Sequence, residues 1–268
     1  MKWINLAVTA ATLAFLVWHV GAGAFLDGLE AVNAEALAAA FALAALTTGC
    51  CAWRWRIVAR GLGDELPLGT AVAAYYRSIF LNLAFPGGIV GDVHRGINHG
   101  LRAVVTERLA GQVVQLVLTV AVLAVVASPV QPVMPFVALA LIVIAVLARR
   151  RLAITRDRAA IALASALVVA GHAATFLIAA RAAGATAPVA DLVPLALLVL
   201  AAAALPNVGG WGPREGMAAW AFAAAGMGAS LGVATGVVYG VMVLFASLPG
   251  AVVLLATTAT WREAAPHG

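Results

Sequence analysis

The chain has 268 residues, 64% of them hydrophobic and only 10% charged, with a formal net charge of +5 and a mean hydropathy of +1.04. A soluble domain carries roughly a quarter charged residues, and several apolar runs here exceed the ~18 residues that mark a membrane helix. Composition therefore excludes a soluble fold, and the basic excess flanks apolar runs as a topology signal, not as a nucleic-acid surface.

Spans are predicted in chain order at about 3–25, 34–53, 104–127, 130–148, 159–183 and 231–259. Lys2, the first apolar run and Ala22-Gly23-Ala24 mimic a signal peptide, but the run is long enough to span and more spans follow, so an uncleaved helix is expected. Cys50 and Cys51 are adjacent at a span end and read as small packing residues. Trp53-Arg54-Trp55-Arg56 reads as interfacial, with tryptophan at head-group depth and arginine on anionic lipid.

Segments 70–103 and 189–228 are interrupted by two similar loops, Phe85 to Gly96 (FPGGIVGDVHRG) and Leu205 to Gly216 (LPNVGGWGPREG). Each is a pair of short helices hinged at Pro-Gly, with Pro86 and Pro206 as the hinges. The fold expected is all-α and polytopic, with about six spanning helices plus two re-entrant hairpins, or alternatively eight or more crossings, in one membrane domain over 1–268. With the N-terminus in the cytoplasm, all but two of the 16 Lys and Arg residues, Arg181 and Arg214, fall on the cytoplasmic side. Both termini are then cytoplasmic, and the units 34–127 and 159–259 enter the bilayer from opposite faces as an inverted repeat with a site near the midplane.

In the first loop, Gly87, Gly88 and Gly91 free the backbone to turn and approach a ligand. Asp92 is expected to be an N-cap, which puts Arg95 in the first helical turn, against the helix dipole and at membrane depth. Arg95 then either forms an internal salt bridge with Asp92 or Glu215, or holds a phosphate together with loop N–H groups. The second loop repeats the design: Gly209, Gly210 and Gly212 loosen the backbone and Pro213 suits the first helical position. Glu215 can reach back to cap that helix, pair with Arg95 or meet a cationic head group. Arg214 is a second phosphate candidate, and Trp211 is placed to line a cavity or sit at an interface.

Asn82, His94, Glu107, Arg108 and His172 are candidates for supporting roles. His172 lies inside a span as a structural histidine or a proton carrier. His94 and His99 are poorly spaced for one metal, and no metal or cofactor is expected. Gly228, Gly232, Gly236 and Gly240 form a stripe for close helix packing. Nucleophile elbows, Walker loops and nucleotide fingerprints are absent, so a transporter is expected and not an enzyme.

The ordered set Arg54-Trp55-Arg56, Asn82, Pro86-Gly87-Gly88, Gly91-Asp92, Arg95, Glu107-Arg108-Leu109, Leu205-Pro206, Gly209-Gly210, Gly212, Arg214-Glu215 and Leu248-Pro249-Gly250 resembles the transmembrane domain of lysylphosphatidylglycerol synthases and its stand-alone relatives. A single glycine before Asp92, where the family more often has a pair, and His94 depart from that pattern. The resemblance implies a flippase-like module of the cell (inner) membrane without the soluble aminoacyl-transferase domain. Substrates that the resemblance suggests include aminoacylated phosphatidylglycerol, polyprenyl-linked sugars and other cell-envelope lipids, and the lead expectation is an anionic phospholipid or polyprenyl-phosphate-linked lipid as the partner moved between leaflets. Two alternatives stand beside it: a non-transporting partner of a lipid-modifying or glycosyl-transferring enzyme, and an ion-coupled small-solute carrier. A homo-oligomer is compatible with the sequence, and no nucleic-acid partner is expected.

Overall fold

A computed structural model describes residues 23–85, 88–152, 157–205, 207 and 211–263. Most of the predicted span 3–25, both hinge prolines and Gly87, Gly209 and Gly210 lie outside the described residues. The described residues form eleven α-helices and a short 3-10 turn, Gln131–Val133. These are α1 Gly23–Glu30, α2 Ala34–Gly61, α3 Leu68–Ala84, α4 Val90–His99, α5 Leu101–Val125, α6 Met134–Leu152, α7 Arg158–Ala182, α8 Val189–Ala202, α9 Pro213–Ala224, α10 Ala229–Ala246 and α11 Leu248–Glu263.

Five stretches are long and apolar enough to cross a membrane: Ala34–Gly61, Leu101–Val125, Gln131–Arg150, Arg158–Ala182 and Ala229–Ala256. They match the five later predicted spans, with two differences. The first runs on to Gly61, so Arg54 sits well inside a helix and not at its end. The last is broken at Ser247, because Pro249 has no N–H to continue the ladder. Beyond the break, Gly250 lets α11 lie against the backbone of Tyr76 on α3. At 1.5 Å rise per residue, α4 and α9 are roughly 15–18 Å long, well short of the ~30 Å hydrocarbon core.

The order long helix, short helix, glycine loop, short helix, long helix occurs twice, as α2–α5 and as α7–α10. The packing repeats as well. α2 packs on α7, α2 on α10 as α7 on α5, and each long helix on the hairpin of its own unit. The main apolar core includes Leu123, Phe176, Leu195, Phe222 and Met242. A second core, around Trp55, Val58 and Tyr75, holds the first hairpin against α2.

The glycine stripe has a plain structural use. A Cβ on Gly232 would run into the Ala218 backbone, and one on Gly236 would press on Glu215 at 3.4 Å. The bare face of α10 thus receives α9 in close contact.

Candidate functional site

Five charged side chains converge beside the first hairpin. Glu107 on α5 is fully buried, and its carboxylate receives four donors from three residues. Arg54 donates to Oε1 through Nε at 2.8 Å and also through Nη2. Tyr75 donates its hydroxyl to the same oxygen at 2.8 Å, and Arg95 reaches Oε2 at 3.2 Å. A buried carboxylate requires such partners, because burial removes its hydrogen bonds to water.

Asp92 is the second anionic centre. It accepts from Ser78 and Asn82, both at 3.1 Å, and from Arg95 at 3.0 Å. Arg108 bridges it with 2.8 and 2.7 Å contacts to its two oxygens. Asp92 is therefore not an N-cap. Helix α4 starts at Val90, ahead of it, so Asp92 stands in the first turn and Arg95 a turn later. The free N–H of Gly91, expected for a ligand, is instead taken by the Asn82 side chain at 2.8 Å. Gly91 itself lies so close to the Ser78 backbone that no side chain would fit.

Arg95 is 1% exposed. Its guanidinium lies 4.0 Å from the Tyr75 ring centre and 4.5 Å from that of Trp55. Among the described residues its Nε and Nη1 have no hydrogen-bond partner, so the two rings and two carboxylates hold the charge. Of the two readings of Arg95, the salt bridge is the arrangement present; it pairs with Asp92 and Glu107, whereas Glu215 pairs with Arg214.

Arg54 differs from its interfacial reading. It is buried, and Nη1 donates to Ser165 on α7 at 2.9 Å. Gly111, one turn after Glu107, leaves the room for it: a Cβ there would lie 2.7 Å from Arg54 Nη1. Of the four-residue motif only Trp53 is exposed.

The second loop is simpler. Pro213 opens α9, and Glu215 at the third position accepts the Gly212 N–H at 2.7 Å, the expected capping contact. Arg214 donates to the other Glu215 oxygen and lies 5.3 Å from the Trp211 ring and 5.1 Å from that of Tyr239. Both charges are buried. Tyr239 hydrogen-bonds His172 Nδ1 at 3.0 Å. His94 contacts Asn98 at 3.2 Å, away from the ion network.

Between the two regions lies a cavity of about 350 Å³. Arg54, Tyr75, Asn82 and Arg108 line it on one side, His172, Tyr239 and Asn207 on the other, with Gln112 and Gln115 of α5 completing the polar wall. Asn207 is close enough to Gly88 that a Cβ on that glycine would lie 2.8 Å from its Oδ1, so the two loops meet at the cavity. Two arginines and no carboxylate line it among the described residues. Arg95, Asp92, Glu107, Arg214 and Glu215 stand outside its lining. A smaller cavity of about 60 Å³ adjoins it at Cys51, Ile79, His172 and Val243.

Fold and cavity together define a multi-pass α-helical membrane protein with a cationic chamber at the meeting of two broken hairpins. The family model of the lysylphosphatidylglycerol synthase TM region matches residues 2–162, more than half of the chain, and the chain belongs to that family. It is thereby a membrane protein tied to lipid handling. The first cluster lies within the matched stretch, apart from Ser165, and the second loop lies beyond it. No curated protein and no solved structure matches the chain.

Gln112 and Gln115, which line the cavity but are not among the sequence candidates, carry a signal. With Arg108 and Thr119 they recur at helical spacing inside a long apolar run and form one polar stripe. Thr47, Cys51, Arg54 and Val58 share a face of α2 in the same way.

Proposed function

We propose that this protein moves an anionic membrane lipid between leaflets, and that the chamber holds the phosphate of its head group. The observation that carries the reading is the charge of the chamber. Arg54 and Arg108 face a cavity without a lining carboxylate among the described residues, in a protein whose composition and family are those of a membrane protein. Arg108 is the ligand-facing group. Its side chain is 45% exposed and, among the described residues, held in an ion pair by Asp92 alone, so a phosphate can share it bidentately. Acyl or isoprenoid chains stay in the bilayer, so only the head group enters the polar space. The short helices of both hairpins would act as re-entrant elements that flank the chamber. No step of this reading needs a catalytic group, a metal or a cofactor, and the membrane lipid itself is the partner.

The test is leaflet exchange of a fluorescently labelled phosphatidylglycerol in liposomes holding the purified protein. Wild type should accelerate exchange over empty liposomes, and Arg108→Ala should slow it by about tenfold or more, the effect of losing one charge-assisted bidentate contact. Exchange no faster than in empty liposomes would refute transport. In that case co-purification with a lipid-modifying enzyme would favour the scaffold alternative.

A further inference from the structure

We infer that the chamber selects a phosphodiester lipid carrying one negative charge and a neutral, hydroxyl-bearing head group, over dianionic phosphomonoesters and cationic aminoacylated lipids. The inference deepens the lipid reading above and rests on it. Its basis is the charge of the whole cluster behind the cavity wall. Among the described residues, Arg54, Arg95 and Arg108 oppose Asp92 and Glu107 in this network, all joined by direct contacts, which leaves one uncompensated positive charge. Arg214 and Glu215, outside the lining, pair with each other and add no net charge.

Beside charges that are themselves buried, as Arg54, Arg95 and Glu107 are, an unbalanced charge costs more than at a surface. A monoanion brings the sum to zero. A dianion leaves an excess of one negative charge, and a cation doubles the positive excess. What remains of the polar wall is uncharged: Gln112, Gln115, Asn82 and Asn207 offer amides that both donate and accept, as hydroxyls require. No lining carboxylate is present among the described residues to receive an ammonium group.

The experiment titrates the purified protein in nonionic detergent at pH 8, about two units above the second ionisation of a phosphomonoester. The probes are dihexanoyl phosphatidylglycerol, dihexanoyl phosphatidic acid and dihexanoyl lysylphosphatidylglycerol, with binding read by native mass spectrometry. Phosphatidylglycerol should bind about tenfold more tightly than either other lipid, the order expected for one unit charge about 12 Å from the cluster at an effective dielectric of about 20. Gln112→Lys, which adds one charge to the wall outside the ion network, should move the preference toward phosphatidic acid by about the same factor. Equal binding of all three lipids, or a ratio unmoved by Gln112→Lys, would overturn the charge selection and leave the lipid reading standing. Binding of none would remove the lipid reading, and this inference with it. Glycerophosphoglycerol without acyl chains serves as competitor. Weak competition supports a lipid ligand, whereas competition at equal concentration would make the ligand a soluble phosphodiester and overturn the lipid assignment.

Discussion

The two glycine loops share a chain plan and differ in what their charges face. Around the first, five charged side chains form a network with an excess of one cation, and its outermost member, Arg108, opens onto the cavity. Around the second, Arg214 and Glu215 close on each other, cap the start of α9 and pack into the glycine face of α10. Removing a charge from water is tolerable only with partners, and the second loop meets that requirement completely within two adjacent residues. The first meets it with a surplus. Two loops of one plan thus differ: the second is a packed brace, and the first carries a surplus cation beside the cavity.

Four substitutions test the contrast, in order of expected effect on stability. Glu107→Ala strands the buried Arg54 guanidinium and leaves Arg95 paired with Asp92 alone, and should cost about 3–5 kcal/mol, seen as loss of the folded peak or a large drop in Tm in detergent. A small drop would mean that Arg54 and Arg95 find other partners and that the network is not a unit. Gly232→Ala places a methyl group against the Ala218 backbone and should cost about 1–3 kcal/mol, with leaflet exchange falling only as folded protein is lost. Arg95→Lys keeps the charge but loses the flat stack between Trp55 and Tyr75. It should cost about 1–2 kcal/mol while leaving lipid affinity within about threefold, because Arg95 does not line the cavity. A large loss of affinity with normal stability would move the phosphate site from Arg108 to Arg95. Arg108→Ala removes a half-exposed partner and should cost under about 1 kcal/mol, yet it should slow exchange most among the well-folded variants.

A good deal of this was legible in the residues. Hydropathy fixed the long helices, since a run of apolar residues has one inexpensive environment whatever its neighbours. The stripe at Gly232, Gly236 and Gly240 announced a close helix contact, and the Pro213–Glu215 spacing announced the cap, because both effects act within one or two helical turns. The partner of each buried charge was not legible. Glu107 meets an arginine 53 residues earlier in the chain, a pairing that no local spacing encodes. Arg54 looked interfacial because the α2 span appeared to end before it, and the true end at Gly61 depends on the Trp55–Tyr75 core that holds the first hairpin.

The sequence by itself determined a multi-pass helical membrane protein, its glycine loops and the family to which it belongs. Only the tertiary structure decided which cation stays available. Arg95, the obvious candidate in the loop, is enclosed by two rings and two carboxylates, and Arg108, at the end of a polar stripe, faces the cavity. The physical reason is that burial and pairing depend on what the rest of the chain brings within a few ångströms of a charge, and helix periodicity alone cannot specify that.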